Sequence, residues 1–426
     1  MTFSIARHRR RAAAVALPLT ATLLLAACGG GDSGADSKTI TLAYATANNT
    51  EQAYEVLAKD YMAAHPGTTV KTTRIALNAY NQTISTQLQA GNAPDVLYMN
   101  SGTGQTVSVG QLSKANHLLE LDKSVAAGIP EAQLDGYEFD GKLYGLPTSI
   151  TISGIVYNDE LAKQNGVTIT PTTTLEEVLS QCGKVAATGK SIFGLAGSIP
   201  ENNGILALEI ASSTVYGPTP DWNQQRADGK VTFANTQGWK DALQAVKDLN
   251  DAKCFQKGAA GAGFDALTNG AAQGKLFGFF APSGATKDIM DGAKGRVKLV
   301  ALPFPGPAAT PTQMSVANNL GLSGNKKTKN PDLVKDFLKY AVSPEASKKF
   351  AQSQGSMPIG KVATADLLPQ YQPVADLLAK EQYRPFGVDS WKSPQVYPAL
   401  GSGLTGLLTG QKTVDDVLKA MDSAWG

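Results

Sequence analysis

Cysteine and histidine are scarce in this chain of 426 residues, which holds three of each. The two cysteines beyond the N-terminal segment, Cys182 and Cys254, have neither a neighbouring histidine nor Cys-x-x-Cys spacing, which argues against metal binding and thiol catalysis. A Gly-x-Ser-x-Gly elbow and a His-Glu-x-x-His motif are also absent from the sequence. We therefore predict a protein that is not an enzyme and needs no cofactor or metal. A glycosidase is the one enzyme class left open, because its two catalytic carboxylates are defined by their separation in space and not by a sequence motif.

Positive charge is limited as well. The formal net charge is +2, and four of the arginines lie in the stretch 7–11. Without those four, 34 basic side chains face 36 acidic ones, and the sequence shows no basic cluster. A nucleic-acid partner is therefore not expected. The abundance of Gly, Asn, Gln, Ser and Thr suits a polar, uncharged ligand.

Long apolar runs are missing after residue 27. The run before it, residues 12–27, has Pro18 in its middle and is shorter than the ~20 residues that span a bilayer. It follows the arginine-rich stretch and ends in small residues. This order of basic head, apolar core and small-residue exit is typical of a secretory signal, which we assign to residues 1–27.

The end of this segment, Leu25-Ala26-Ala27-Cys28, resembles the lipobox of bacterial lipoproteins. The resemblance implies that the chain is cut before Cys28 and that Cys28 carries the lipid. The Gly/Ser/Asp-rich residues 28–38 would then form a flexible tether between the membrane and the body. The alternative is an ordinary signal with an incidental cysteine.

The pair Cys182 and Cys254 occurs in two amphipathic helical patterns, TLEEVLSQCGKVAA and WKDALQAVKDLNDAKC. Each cysteine lies late in its pattern. An even number of cysteines in an exported chain favours a disulfide. Two buried free thiols are the alternative.

The body alternates strand and helix patterns. Residues 39–45 (TITLAYA) alternate apolar and polar side chains, and a helix pattern follows, with Asn48 as its cap and Glu51 three residues later. Further helix patterns begin at Pro331, Pro344 and Val414. This alternation predicts an α/β body with mainly parallel sheets. Residues 39–426 exceed the usual size of one hydrophobic core, so two domains are expected.

Six motifs in order resemble the extracellular solute-binding protein family 1, the sugar-binding receptors of bacterial ABC importers. They cover essentially the whole body and are LQAGNAPDVLYMNSG (88–102), EFDGKLYGLPTSITISGIVYNDEL (138–161), GKLFGFFAPSG (274–284), VALPFPGP (300–307), the segment 318–358 from NNLGLSG to QSQGSMP, and GQKTVDDVLKAM (410–421). The resemblance implies two α/β lobes of the periplasmic-binding-protein type, built from discontinuous domains with the ligand in a cleft between them.

The same resemblance sets the expected domain bounds and partners. The N-terminal lobe comprises residues 39–150 with 305–343, and the C-terminal lobe residues 151–304 with 344–426. The chain would cross between lobes near residues 150–153, 302–307 and 343. The implied function is that of a monomeric lipoprotein, anchored at the outer face of the cell membrane. It captures a sugar, expected to be an oligosaccharide, and delivers it to ABC permease subunits. The alternatives are a non-sugar or phosphorylated solute, or a sensor lipoprotein without a transport role.

Candidate ligand residues are polar or aromatic side chains placed where strands end. Hydroxyl and amide groups hydrogen-bond the rim of a sugar, and aromatic rings stack on its C–H faces. From the first lobe the candidates are Asn48, Asn49, Tyr80, Asn81, Asn100, Ser101 and Thr148. Asn48 and Tyr80 have equally good structural roles, as a helix cap and as core packing.

The second lobe and the returning strand supply the other candidates. They are Glu201, Asn202, Asn203, Trp222, Ser283, Asn318, Asn319, Trp391 and Tyr397. Trp391 is the expected stacking ring, because it lies in a Gly/Pro/Ser-rich segment where burial is hard to arrange. Trp222 is a second ring expected to be exposed.

Overall fold

The computed structural model describes residues 38–46, 51–282, 285–292, 294–308, 310, 312–360, 367–380 and 382–426. The described residues do not include the predicted signal segment, the tether up to Ser37 with Cys28, or Asn48, Asn49 and Ser283. The side chains of Asn318 and Asn319 are not described either, although their backbone belongs to a strand. Among the described helices, none combines the length and the apolar character needed to cross a membrane.

Strands and helices alternate along the body as the sequence predicts. The strands are β1 (Thr39–Thr46), β2 (Thr69–Ala76), β3 (Val96–Met99), β4 (Glu138–Phe139), β5 (Lys142–Leu143), β6 (Leu146–Tyr157), β7 (Ser191–Gly194), β8 (Leu276–Pro282), β9 (Val300–Leu302), β10 (Met314–Gly324) and β11 (Tyr383–Pro385). The helices are α1 (Ala53–Ala64), α2 (Leu77–Ala90), α3 (Val109–Lys114), α4 (Glu131–Leu134), α5 (Asp159–Gln164), α6 (Leu175–Ala186), α7 (Pro200–Ala211), α8 (Trp222–Ala227), α9 (Gln237–Asp251), α10 (Phe264–Ala272), α11 (Ala285–Gly292), α12 (Pro331–Ala341), α13 (Pro344–Gln354), α14 (Ala375–Ala379), α15 (Val396–Leu408) and α16 (Val414–Trp425).

Helix α1 begins later than the sequence pattern predicts. Its first residue is Ala53, and the Glu55 carboxylate accepts a hydrogen bond from the backbone N–H of Gln52 at 3.1 Å. This interaction satisfies one of the donors that a helix start leaves free. The residue at the cap position is therefore Gln52, four residues later than the sequence pattern predicts.

The main sheet is mixed rather than mainly parallel. In the described part of the chain its principal strand order is β2-β1-β3-β10-β6-β8-β7. The outer pairs β1–β2, β1–β3 and β7–β8 are parallel, as expected when helices connect successive strands. The central strands β6 and β10 run antiparallel to each other, and β10 is also antiparallel to β3.

Two large hydrophobic cores lie on either side of these central strands. The first contains Leu42, Tyr61, Val96, Phe337 and Phe350 among its buried side chains. The second contains Val178, Leu206, Trp239, Leu404 and Met421. Each core is an α/β layer packing, so the body has the two-lobe architecture that the resemblance implied.

The long strand β6 links the two cores directly. It carries Leu146 in the first core and Ile155 in the second. Phe304 packs in the second core and Leu322 of β10 in the first, so the return passage runs along β10. Helix α13 packs on the first core through Phe350, although the predicted boundary after residue 343 assigns it to the second lobe. The lobe boundaries themselves stay predictions.

Cys182 and Cys254 form a disulfide in the structure, with their Cα atoms 4.7 Å apart. Cys182 lies in α6, and Cys254 lies three residues after the end of α9. The bond closes a loop between residues 72 positions apart and ties two helices of the second core together. In the chain-entropy account, such a link stabilises the fold by restricting the unfolded chain.

Trp391 is part of an aromatic cluster in the second core, and the expectation of an exposed ring is wrong. The backbone N–H of Trp391 donates to Val388 O at 3.0 Å, closing the turn that directs the ring inward. The ring is 0% exposed, and its centroid lies 5.5 Å from that of Phe233 and 6.0 Å from that of Trp239. Its Nε1–H donates to the Tyr216 hydroxyl at 3.2 Å.

We predict that Trp391→Ala lowers the free energy of unfolding by about 3–5 kcal/mol, because it empties a packed aromatic site. Urea unfolding followed by circular dichroism measures the change. Trp391→Phe keeps most of the ring volume and should lower the free energy of unfolding by clearly less. An unchanged urea midpoint for Trp391→Ala would contradict the burial seen here.

Candidate functional site

A cavity of about 680 Å³ lies where segments of the two lobes face each other. One wall comes from residues 101–103 and 130–139, which belong to the lobe of the first core. The opposite wall comes from residues within 357–360, 367–379 and 383–390, and Ile150 of β6 and Val316 of β10 lie between the walls. The cavity therefore adjoins both strands that connect the lobes. Its volume is within the ~300–1,000 Å³ of typical small-molecule sites.

One part of the cavity wall is apolar. Its side chains include Met357, Leu367 and Leu378, together with two aromatic rings, Phe139 and Tyr383. Tyr383 begins strand β11, which pairs in parallel with the start of β10. These residues offer flat and aliphatic surface to a ligand.

The other part of the wall is polar, with Ser101, Gln133, Asp135, Glu138, Asp389 and Ser390. Gln133 joins the two walls through a pair of hydrogen bonds. Its Nε2–H donates to Gly360 O at 2.9 Å, and its Oε1 accepts from the Gly360 backbone N–H at 2.7 Å. Glu138 forms an ion pair with Lys123 at 2.7 Å.

Asp389 is held firmly in the cavity wall. Its Oδ2 accepts a hydrogen bond from Ser101 Oγ at 3.0 Å, and its backbone carbonyl accepts one from the Thr103 N–H at 2.7 Å. The pKa of the Asp389 carboxyl is raised to about 7, chiefly by burial and with a smaller contribution from the charge of Asp135, whereas the Ser101 hydrogen bond opposes the rise. The Asp389 carboxyl is therefore an electrostatically perturbed group in a cleft, as functional carboxyls often are.

The loop 101–104 and the segment 387–391 form a close contact beside the cavity. Thr103 Oγ1 donates to Trp391 O at 2.6 Å, in addition to the backbone bond to Asp389. Gly102 has φ +68°, and a Cβ at this position would lie 1.7 Å from Asp389 O. Only glycine permits this approach, because the carbonyl that would clash belongs to the backbone.

The structure places the first-lobe candidates from the sequence in different environments. Ser101 lines the cavity. Tyr80 is core, and its hydroxyl donates to Tyr98 O at 2.9 Å. Asn100 is buried with its Nδ2–H bonded to Val107 O at 3.2 Å. Thr148 and Asn81 do not line the cavity either: Thr148 is buried within β6, whereas Asn81 is exposed on α2.

The amides at the start of α7 hold loops of the second lobe in place. Asn202 Oδ1 accepts from the Ala196 N–H at 2.9 Å, and its Nδ2–H donates to Phe280 O at 2.8 Å. Asn203 Nδ2–H donates to Gly197 O at 3.0 Å. Both side chains are 1% exposed, so they are structural in this conformation.

The other second-lobe candidates that the structure describes also lie away from the cavity. Trp222 is 1% exposed, and its Nε1–H donates to Thr236 Oγ1 at 3.0 Å, so the expectation of an exposed ring is wrong here too. The Tyr397 hydroxyl donates to the backbone carbonyl of Glu201 at 2.8 Å. The Glu201 side chain is exposed but does not contribute to the cavity wall.

Sequence reasoning missed Phe139, Tyr383 and Asp389. Phe139 lies in the hairpin motif EFDGK, and Asp389 lies two residues before the predicted Trp391, so both were within recognised segments. Tyr383 had no comparable signal, because its strand is three residues long and pairs with a distant segment.

Comparison with known proteins assigns the family. The profile of the bacterial extracellular solute-binding proteins matches residues 56–376, and the chain belongs to this family. The arabinooligosaccharide-binding protein of Bacillus subtilis is 25% identical, over 80% of this chain and 78% of that protein. The diacetylchitobiose binding protein DasA of Streptomyces coelicolor is also 25% identical, over 78% of each chain.

Solved structures show the same fold. A chitin oligosaccharide binding protein superposes with a TM-score of 0.74 at 20% identity, covering 91% of this chain and 98% of its own. A raffinose complex of the binding protein RafE gives a TM-score of 0.71 at 20% identity, with the same coverage. The predicted family and the two-lobe fold are thereby confirmed. The family and these relatives are binding proteins rather than enzymes.

We predict that Gly102→Ala opens the contact between the loop 101–104 and the segment 387–391, because the new Cβ collides with a backbone carbonyl. Faster hydrogen exchange at the Thr103 amide measures the opening. Gly166→Ala is the matched control, since Gly166 has φ +74° but nothing within 4 Å of the added Cβ. Equal exchange at Thr103 in both variants would contradict the tight contact.

Proposed function

We propose that this protein is the substrate-binding component of an ABC importer and that it captures an oligosaccharide in the cavity between its lobes. The observation that carries the proposal is the composition of the cavity wall, with an apolar patch on one part and carboxyl, amide and hydroxyl groups on the other. Sugars combine C–H faces with a rim of hydroxyls, and this wall is complementary to both. The oligosaccharide names of the relatives support the same ligand class.

Recognition would divide between the two parts of the wall. Phe139 and Tyr383 cover the C–H faces of the sugar, in the role first expected of Trp391. Ser390 and Asp389 receive or donate hydrogen bonds at the hydroxyl rim. Closure of the two lobes would bring both parts of the wall onto the ligand, with β6 and β10 as the connection that bends.

The cellular setting completes the proposal. Cys28 carries a lipid after cleavage of residues 1–27, and residues 28–38 connect the body to the outer face of the membrane. The monomeric receptor then delivers its sugar to the permease subunits. The lipobox-like sequence at Cys28 and the extracellular character of the family support this arrangement. We propose no catalytic role.

A thermal-shift screen tests the ligand class. The panel contains xylotriose, arabinotriose, maltotriose and N,N′-diacetylchitobiose, with lactate and glycine as non-sugar controls. A ligand that binds only the folded state adds about 2.7 kcal/mol of stability at a hundredfold excess over its Kd. We expect at least one of the four sugars to raise the melting temperature and the controls to leave it unchanged. A screen in which no sugar stabilises the protein would refute the proposal.

We predict that Tyr383→Ala weakens binding of the sugars that stabilise the wild type by roughly tenfold, through loss of apolar contact area. Isothermal titration calorimetry measures the affinity. Tyr383→Phe keeps the ring and should bind close to the wild-type level. Equal affinity for Tyr383→Ala and the wild type would show that this ring is not part of the sugar site.

A further inference from the structure

Asp389 lies at the contact between the two lobes. Its backbone carbonyl accepts a hydrogen bond from the Thr103 N–H at 2.7 Å, and its Oδ2 accepts one from Ser101 Oγ at 3.0 Å. Its neighbour Val388 packs in the second core, so a movement of that lobe away from the loop 101–104 would carry Asp389 with it. The environment of the Asp389 carboxyl therefore depends on whether the contact between the lobes is formed.

The contact encloses the Asp389 carboxyl without supplying a positive charge. Oδ1 is enclosed and has no hydrogen-bond partner among the residues that the structure describes. The described residues that line the adjoining cavity include no lysine, arginine or histidine. A carboxylate in this position loses its hydration and gains only the hydrogen bond from Ser101. The closed contact therefore favours the neutral acid over the carboxylate.

The titratable groups that face Asp389 do not offset this loss of hydration. Its pKa in this conformation is about 7, chiefly because of burial and with a contribution from the charge of Asp135, against about 3.9 for a solvated aspartate. Three tyrosines also face the carboxyl, Tyr98 and Tyr137 from the first lobe and Tyr397 from the second. Burial holds the pKa of each tyrosine above its usual range, so all three are uncharged at neutral pH.

We propose that closure of the lobes is coupled to proton uptake by Asp389: the neutral carboxyl favours the contact between the loop 101–104 and the segment 387–391, and the carboxylate favours its opening. Opening returns water to the carboxylate, whereas the closed contact excludes it. This inference adds a pH-dependent step to the proposed function, and it rests on that function only where sugar binding is measured.

The direction of the pH dependence follows from the two conformations. Between about pH 4 and about pH 7 the open form has lost the proton that the closed form keeps, so closure is favoured at the acidic end of this range. The equilibrium constant for closure falls by up to about tenfold per pH unit as the pH rises through the range. Above it both forms are ionised, and the dependence levels off.

The first test needs no ligand. Protection of the Thr103 amide against hydrogen exchange, corrected for the intrinsic exchange rate at each pH, measures the closed contact in the full-length protein. We expect this protection to fall about tenfold or more between about pH 5.5 and about pH 8. The Phe193 amide, which donates to Cys254 O at 2.9 Å within the second lobe, is the internal reference and should change far less. Thr103 protection that does not vary with pH overturns the proposal.

Asp389→Asn replaces the carboxyl with a group of the same shape that does not titrate. We expect Thr103 protection in this variant to be almost constant over the same pH range, whatever its absolute level. Asp376→Asn is the matched control, because Asp376 is exposed on α14 and does not line the cavity. It should keep the pH profile of the wild type. A wild-type profile in Asp389→Asn would assign the pH dependence to another group and overturn the proposal.

The second test measures protons taken up on binding. A panel sugar that stabilises the wild type is titrated by calorimetry at about pH 6 in two buffers of different ionisation enthalpy. We expect a net uptake approaching about one proton per sugar by the wild type and almost none by Asp389→Asn. Sugar binding to the wild type without proton uptake overturns the coupling and leaves the proposed function standing, however the variant folds. If no panel sugar binds, the proposed function fails, and Thr103 protection alone decides the coupling.

Discussion

The antiparallel pairing of β6 with β10 is the constraint on which the rest of the structure depends. These are the two long strands at the centre of the sheet. Strand β6 has residues in both large cores, and β10 has Leu322 in the first. The chain passes directly from one lobe to the other along these strands, and the contacts of Gln133 with Gly360 and of Thr103 with Asp389 add to this connection. A connection of this kind can bend while each core stays intact. The cavity lies beside it, with Ile150 of β6 and Val316 of β10 in its wall.

Packing in the second lobe explains why large rings are poor guides to the site. All four tryptophans of the chain belong to its core, where Trp222, Trp239, Trp391 and Trp425 surround Phe233. Burial of such rings is among the largest single contributions to stability. A tryptophan in a loop segment therefore packs into the core when the core has room for it. The cavity is left with smaller aromatic surfaces, one from a two-residue strand and one from a three-residue strand.

Much of the fold could be predicted from local sequence patterns, whereas much of the candidate site depends on contacts between distant segments and could not. The helix start at Thr413 follows from its sequence, because the Thr413 N–H donates to Asp416 across a single turn. The family motifs predicted the two lobes, and Ser101 was predicted as a site residue because it follows a strand. Asp389 and Tyr383 could not be found in this way, since their roles depend on segments almost 300 and about 70 residues away, the loop at Ser101 and strand β10. No pattern of neighbouring residues records such a pairing.

Asp389 links the two lobes at the wall of the cavity. Its backbone carbonyl and its Oδ2 accept hydrogen bonds from Thr103 and Ser101 of the other lobe, whereas Oδ1 is enclosed and has no hydrogen-bond partner among the described residues. The position of the Asp389 carboxyl therefore depends on the approach of the loop 101–104, which Gly102 permits. A ligand that contacts both walls of the cavity would favour the same approach of the loop to the segment 387–391. Binding and closure would then stabilise each other, because a ligand shifts an equilibrium only through contacts that differ between its two states.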